Sequence, residues 1–382
     1  MAATGIICEY NPLHLGHKKQ IDHIRRIYPN DGIVCMMSGN YVQRGAPAII
    51  DKSLRAKAAI LSGADLVLEL PVTGCLSSAE GFAQEGVRLL SYVCDRLCFG
   101  AESADKAALL ATANALLSAE FPEALKQALS TGLSFPAARQ AALLVMGLQA
   151  NTLSQPNDIL ATEYCKAILD LGADMEPMPI RREGGYHDTD IDADSPSATA
   201  VRKQMVMCDL WQSYVPDCSA ACMEGAVIHT LQAGEDAILY KLRTMTDEEY
   251  EALPYGSEGL WRKLMQNARK YGSLEEILSA TKSKRYTRTR LDRMVMCAFL
   301  GIAKKEILSP APYCRVLAFN DKGRELLKTA RQNGSFPNAG ERIDNPYQDI
   351  EERSGRLYSL FATNKQEAPF DEGQRRVFYK GD

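Results

Sequence analysis

Four short apolar runs separated by amphipathic stretches fill the first hundred residues, and this alternation limits the possible folds more than any other feature of the chain. TGIICE (residues 4–9), GIVCMM (32–37), DLVLELP (65–71) and DRLCFG (95–100) read as buried strands. Between them, residues 18–28, 52–62 and 79–93 space apolar side chains three and four apart, as in Leu54, Ala58 and Leu61, or Phe82, Val87 and Leu90. Strands alternating with helices predict an α/β fold with a Rossmann-like, doubly wound parallel sheet.

The alternation then thins. A helix-rich insert is predicted over residues 103–149, a helix over 157–171, a strand over 175–181, a Gly/Asp/Ser-rich loop over 184–197 and a helix from Ala198. Beyond Trp211 helices dominate, at 235–244, 258–271, 274–282 and 287–303, with one further strand and helix at 313–320 and 321–332. A chain of 382 residues exceeds the usual size of one domain. Two are expected: an α/β domain over 1–210 and a mainly α-helical one over 211–382.

Composition sets outer limits on function. With 46% hydrophobic residues the chain is not disordered, and 44 basic against 48 acidic residues exclude a uniformly basic nucleic-acid coat. A polyanionic partner must therefore meet a local basic patch. The eleven cysteines lie mostly inside apolar runs, as buried thiols in a reducing compartment do. The pairs Cys94/Cys98 and Cys218/Cys222 lack second pairs at zinc-ribbon spacing, so no protein-held metal is expected. No apolar run approaches the ~18 residues of a membrane span, and no signal-peptide pattern opens the chain, which predicts a soluble cytoplasmic protein without membrane partners.

The sharpest local signal is EYNPLHLGHKKQI, residues 9–21, where a strand ends in a Pro-containing turn and a helix begins at Gly16 or His17. Its centre is His14-x-Gly16-His17. The first strand-to-helix turn of such a sheet normally faces phosphates, and the helix start offers free N–H groups and a favourable dipole. Gly16 lets the backbone approach an anion, and two imidazoles can donate to phosphate oxygens as charge builds during displacement at phosphorus. That pattern suits nucleotidyl transfer. Asp51 and Lys52 read as the cap and start of a helix. Gln43 and Arg44, in GNYVQRG (39–45), follow the second strand on the sheet edge that carries the histidines, and could face a carboxylate or an incoming cytidine.

A resemblance now covers nearly the whole chain. GIICEYNPLHLGH, SGNYVQRGAPAIIDKSLRAKAAILSGADLVLELP (38–71), FGAES (99–103), QPNDILATEY (155–164) and SATAVR (197–202), in that order, resemble the bacterial tRNA(Met) cytidine acetate ligase family of the HxGH nucleotidyltransferase superfamily. Leu13, where an aromatic is common, and Cys8, where a small residue is, are mild departures. The resemblance implies that ATP and acetate give acetyl-adenylate and pyrophosphate, and that the acetyl group passes to N4 of the wobble cytidine of elongator tRNA(Met). It assigns ATP binding to Ile7, Cys8, Glu9, Tyr10, Asn11, Pro12, Leu13, His14, Leu15, Gly16, His17, Lys18, Lys19 and Gln20, with His14 and His17 on the phosphates. Gly100, Asn157, one of the pair Arg181/Arg182 with Arg182 favoured, and the second phosphate signature Ser197, Thr199 and Arg202 complete the set. Mg²⁺ is expected as a companion of the pyrophosphate.

Residues 282–293, KSKRYTRTRLDR, carry Lys282, Lys284, Arg285, Arg288, Arg290 and Arg293 with one acid, Asp292. Leu291, Met294, Val295 and Phe299 form an apolar stripe, which predicts a helix from Thr287 whose opposite face presents Arg290 and Arg293 to RNA phosphates. Two other readings stand beside the ligase: a small-molecule adenylyltransferase, which leaves this segment without a task, and a non-catalytic RNA-binding protein.

Overall fold

The computed structural model describes residues 1–148, 150–181, 197–207, 209–365 and 371–381. Strands β1 (Ala3–Cys8), β2 (Gly32–Ser38), β5 (Leu66–Leu70), β6 (Arg96–Ala101) and β7 (Glu176–Arg181) form the parallel body of a sheet, and β3 (Tyr41–Val42) pairs with β4 (Ala46–Pro47) in a small hairpin. Two further strands, β8 (Val316–Asn320) and β9 (Phe378–Lys380), complete it in the order β7-β6-β1-β2-β5-β8-β9. Every residue of β2 and β5 is buried, as strands covered on both faces must be. Alternate residues of β2 serve opposite faces. Val34 and Met36 pack with Phe82, Val87 and Leu90, whereas Ile33, Cys35 and Met37 pack with Ile21, Ile24, Ala56 and Ile60. The doubly wound expectation is met.

From β1 the chain steps through β2 to β5, then returns to lay β6 and β7 on the other side of β1. The reversal falls between β1 and β6, so the loops leaving their carboxyl ends diverge and open a crevice.

Two features differ from a purely parallel sheet formed by the first 210 residues. β8 and β9 come from beyond that point, and β8 pairs antiparallel with β5. The returning chain enters beside the carboxyl end of β5, where the Glu69 N–H donates to the Arg315 carbonyl at 2.8 Å, so it must run back along the edge. That pairing covers backbone groups that an edge strand would leave open. The helix after β8, Asp321–Asn333, then lies so close that a Cβ on Gly323 would meet the Asp65 carbonyl oxygen at 2.0 Å.

Helices α1 (Leu15–Ile27) and α2 (Lys52–Leu61) flank the sheet. The later helices Glu235–Thr244, Leu260–Ala268, Leu274–Thr281 and Arg288–Leu300 share a second core through Ile238, Leu242, Leu264, Ile277, Leu291 and Met294. The last of these ends at Leu300 because Gly301, at φ +64°, takes the left-handed cap that glycine favours. Tyr41 of β3 belongs to that same core and donates from its hydroxyl to the Ser354 carbonyl at 2.9 Å. The described cysteines are all free and, Cys218 aside, buried. No helix among the described residues is long and apolar enough to cross a membrane.

Candidate active site

The chain leaves β1 through a turn held on every side. Tyr10 adopts φ +43°, uncommon for a residue with a Cβ, and its buried ring lies 5.0 Å from that of His17. The Asn11–Pro12 peptide is cis. Asn11 accepts the Ile49 N–H on its side chain at 2.7 Å, and its carbonyl accepts Nη1 of Arg202 at 2.7 Å. Cys8, Tyr10 and Leu13 bury their side chains in the core, so any contact they make with a nucleotide runs through their backbone. Burial also pushes the Cys8 thiol well above its ordinary pKa, which leaves it unreactive.

His14 is the N-cap of α1, whose first residue, Leu15, lies one or two residues ahead of the expected start. Its Nδ1 accepts the Gly16 N–H at 3.1 Å, while Nδ1 of His17 accepts the His14 N–H at 3.3 Å. This is a capping box written in histidine. Each Nδ1 is an acceptor, which puts the proton of each neutral ring on Nε2. The rings stack with centroids 3.8 Å apart and planes 29° from parallel. His14 is only 4% exposed, and His17 is half-buried. A Cβ on Gly16 would sit 3.0 Å from Cε1 and 3.1 Å from Nδ1 of His14, so the glycine makes room for the ring as well as for an anion.

The other wall of the crevice comes from β6 and the helix Pro156–Asp170. Gln20 donates from Nε2 to the Cys98 carbonyl at 3.2 Å, tying α1 to β6, and Gly100 pairs with Ile180 near the carboxyl ends of β6 and β7. Glu102 accepts Nδ2 of Asn157 at 2.6 Å and the N–H of Asp158 at 2.7 Å. Asp158 in turn accepts the Ser103 hydroxyl at 3.0 Å. Arg181, exposed at the end of β7, donates to the Ser103 carbonyl at 3.4 Å. Arg182, with residues 184–196 of the expected loop, lies outside the described residues. Ser197 accepts the Ala200 N–H at 3.1 Å at the start of the helix Ala198–Met207, and Arg202 donates to Thr199 Oγ1 at 3.0 Å. Arg202 thereby joins the second signature to the histidine turn. Burial works against its charge, with Glu9 favouring and Arg44 opposing it, and its pKa falls below the usual arginine value. Lys18 is ion-paired with Asp22 along α1, and Lys19 is exposed.

Comparison with known proteins agrees with this geometry. Residues 1–372 match the family model described as HIGH Nucleotidyl Transferase. The tRNA(Met) cytidine acetate ligase of Clostridium perfringens is 37% identical, with 88% of this chain and 89% of that protein covered, and that of Clostridium acetobutylicum is 35% identical with 99% of each covered. The crystal structure of apo Thermotoga maritima TmcAL superposes with a TM-score of 0.91 at 30% identity over the whole of both chains. The same protein bound with alpha-thio ATP gives 0.89 at 29% identity. The chain belongs to the tRNA(Met) cytidine acetate ligase family.

In this family member the basic segment is placed differently from the expectation. Arg285 pairs with Glu258 at 2.7 Å, and Arg288 pairs with Glu275 at 2.7 Å and Asp292 at 2.8 Å. Hydrogen bonding from Arg288 holds the Glu275 carboxyl down to about 2. Arg290 donates to the Tyr255 carbonyl at 2.8 Å and to the Ser257 hydroxyl at 2.9 Å. Arg293 does not stand on an outer face. It is 8% exposed, with its guanidinium 5.2 Å from the Tyr255 ring centroid and Nη1 donating to the Gln43 carbonyl at 3.5 Å. Compensation for the six cations is largely internal, and Lys282 and Lys284 remain exposed.

Sequence reasoning missed Arg55, which is fully buried in α2. Its guanidinium donates to the carbonyls of Glu9 at 2.7 Å, Ser38 at 3.0 Å and Gly39, and its Nε to that of Ile50 at 3.0 Å. One side chain thus clamps the carboxyl ends of β1 and β2. Beside it Asp51 caps α2 and pairs with Arg375 at 2.8 Å, while Lys52 pairs with Glu69 at 2.7 Å and Glu372 at 2.8 Å. The only hint in the sequence was an arginine on the apolar side of a short helix.

Proposed function

We propose that this chain is an ATP-dependent ligase that activates acetate as acetyl-adenylate and acetylates N4 of the wobble cytidine of elongator tRNA(Met). The observation that carries the reading is the pair of stacked imidazoles at the sheet's switch point, joined through Asn11 to Arg202, in a chain that aligns end to end with tRNA(Met) cytidine acetate ligases. A carboxylate acylates an amine poorly at neutral pH, so it must first acquire a good leaving group.

In the first step an acetate oxygen bonds to the α-phosphorus of ATP as the bond to the β-phosphate oxygen breaks and pyrophosphate leaves. His14 and His17 donate from Nε2 to the crowded phosphate, and the positive end of the α1 dipole faces the same charge. Ser197, Thr199 and Arg202 hold the departing pyrophosphate. Gly100, Asn157 and Arg181 or Arg182 bind the nucleotide on the β6 side of the crevice. No group of three His, Cys, Asp or Glu side chains that could hold a metal occurs among the described residues; Mg²⁺ brought in on the triphosphate would neutralise charge on the leaving pyrophosphate beside Arg202. In the second step the cytidine amine attacks the acetyl carbonyl, the C–O bond to AMP breaks, and the amine proton passes to phosphate or water. The helical part of residues 211–382 holds the tRNA, with Lys282 and Lys284 among its exposed cations.

Incubating the protein with radiolabelled acetate, ATP and tRNA(Met) tests this directly. Label in acid-insoluble RNA that requires both ATP and the wobble cytidine is expected. Adenylyl transfer to a small molecule, or RNA binding without any label transfer, would replace the reading by one of its two rivals.

A further inference from the structure

The exocyclic amine of cytosine lies on the pairing edge of the base, so a protein that acetylates it must take that base from an unpaired stretch of RNA. Unpaired RNA is held by the faces of its bases as well as by its phosphates, and the matching protein surface sets aromatic rings among cations. One stretch of the helical region has this composition. The helix Leu260–Ala268 opens with half-buried Trp261 and exposed Arg262 and Lys263. The Arg262 guanidinium lies over the Trp261 ring, 4.9 Å from its centroid. Lys263 donates to the Lys282 carbonyl at 3.5 Å, which joins this helix start to the basic segment 282–293. Among the described residues no carboxylate pairs with Arg262, Lys263, Lys282 or Lys284, in contrast to Arg285 and Arg288.

The loop before this helix is locked in a conformation that side chains rarely adopt. Tyr255 and Glu258 take φ +67° and +60°, ahead of Gly259 at +79°. Arg290 holds the Tyr255 carbonyl through two nitrogens, at 3.0 and 2.8 Å, while Arg285 and the Tyr286 hydroxyl each donate to Glu258 at 2.7 Å. The Tyr255 hydroxyl donates to the Leu76 carbonyl at 2.7 Å, beyond the carboxyl end of β5. Arg293, against the Tyr255 ring, reaches the Gln43 carbonyl in the turn 43–45 between β3 and β4, and the Gln43 N–H donates to Glu9 Oε1 at 2.9 Å. That turn lies hard against the helix, since a Cβ on Gly45 would meet the Arg293 nitrogen and the Asp292 carbonyl carbon at 2.4 Å. Through Arg293 and Gln43 the loop is tied to Glu9, the residue that leads into the histidine turn.

We infer that Trp261, with Arg262 against its ring and Lys263, Lys282 and Lys284 around it, is a stacking platform for an unpaired base of the anticodon loop, and that the loop 255–259 holds this platform in register with the adenylation site. This rests on the tRNA acetylation reading above. A guanidinium stacks on an indole and on a base alike, so Arg262 extends the stack while its charge meets phosphate. The strained backbone of Tyr255 and Glu258 is costly to the fold, and its reward is a platform that keeps its place relative to the histidines.

The test is the affinity for an anticodon stem-loop RNA of tRNA(Met) sequence, measured across a range of salt on wild type, Trp261→Leu, Trp261→Phe and Arg262→Gln/Lys263→Gln, each checked for a native unfolding midpoint. Leucine keeps apolar packing but has no ring face. Trp261→Leu raises Kd about fivefold to a hundredfold, the worth of one stacked base, with the salt slope unchanged, and Trp261→Phe recovers most of that loss. The double variant lowers the slope by about 0.7 per cation. The stem-loop changes the indole fluorescence of the wild type, and the change disappears in Trp261→Leu because Trp211, the other of the two tryptophans, is only 7% exposed. A wild-type Kd in Trp261→Leu overturns the inference. So does a Trp261→Phe variant as weak as the leucine one, which would make the ring a packing element, or tighter binding of a fully paired RNA duplex of the same length, which would make the surface a phosphate track. A wild type that transfers no acetyl group to tRNA(Met) refutes the underlying reading instead, whatever the binding data.

Discussion

Nδ1 of His14 lies 3.1 Å from the N–H of Gly16, and a methyl group on that glycine would crowd the same nitrogen at 3.1 Å. The spacing of the motif follows from this contact. The first histidine caps the helix, the second returns the bond to its backbone, and Gly16 must lack a side chain for the first ring to lie over the helix start.

Gly16→Ala therefore separates stability from chemistry. Alanine in place of glycine in a helix favours folding by up to ~1 kcal/mol, which offsets the weakened His14 cap, so the unfolding midpoint should change little. The displaced His14 ring should meanwhile lower the exchange rate by about a hundredfold, the scale of one misaligned donor in a charge-stabilising site. A variant of normal rate would show that the ring tolerates displacement.

Arg55→Met should cost about 3–5 kcal/mol, because it leaves the carbonyls of Glu9, Ser38 and Gly39 buried without their donor. Chemical denaturation measures it. A loss under ~1 kcal/mol would show that these carbonyls find water instead.

Two groups should give opposing pH dependences of stability. Burial lowers the pKa of His229, stacked on Tyr358 at 3.9 Å, from 6.5 to about 4, so its contribution is present above pH 6.5 and lost as pH falls through 4. Burial raises Glu351, which accepts from Tyr313 at 2.6 Å and Arg315 at 2.9 Å, from 4.5 to about 7, so its contribution is present below pH 4.5 and lost as pH rises through 7. Between pH 4.5 and 6.5 the two slopes oppose each other. Glu351→Gln should make stability fall on acidification through this window, and His229→Gln should make it fall on alkalinisation. Parallel profiles in the two variants would contradict the assignment.

Salt dependence distinguishes exposed from buried cations. Substituting Lys282 and Lys284 by Ala should weaken tRNA binding and reduce the slope of log affinity against log salt by about 0.7–0.9 per lysine. Arg293→Ala should leave that slope unchanged, since the side chain packs on Tyr255 and Gln43. A lower slope for Arg293→Ala would return it to the RNA interface.

Much of the fold was legible because it rests on local pattern. The strands are continuous apolar runs, and the helical spacing of Leu54, Ala58 and Leu61 matches α2. The start of α1 was missed because histidine is not a usual N-cap, and its capping here depends on a partner ring three residues on. The burial of Arg293 was hidden for a different reason. The stripe of Leu291, Met294, Val295 and Phe299 predicted one buried face correctly, but the turn 43–45 that covers the adjacent face comes from 250 residues away. Arg55 lies in sequence on the apolar side of a short helix, and only the convergence of two strand ends gives it the carbonyls of Glu9, Ser38 and Gly39 to bind in addition to that of Ile50.

The central claim is that His14 and His17 stabilise adenylyl transfer to acetate, and acetate-dependent exchange of labelled pyrophosphate into ATP tests it without any tRNA. The account predicts robust exchange in the wild type and a loss of about a hundredfold or more in His17→Ala with tRNA binding retained. Exchange at the wild-type rate in folded His17→Ala would contradict it.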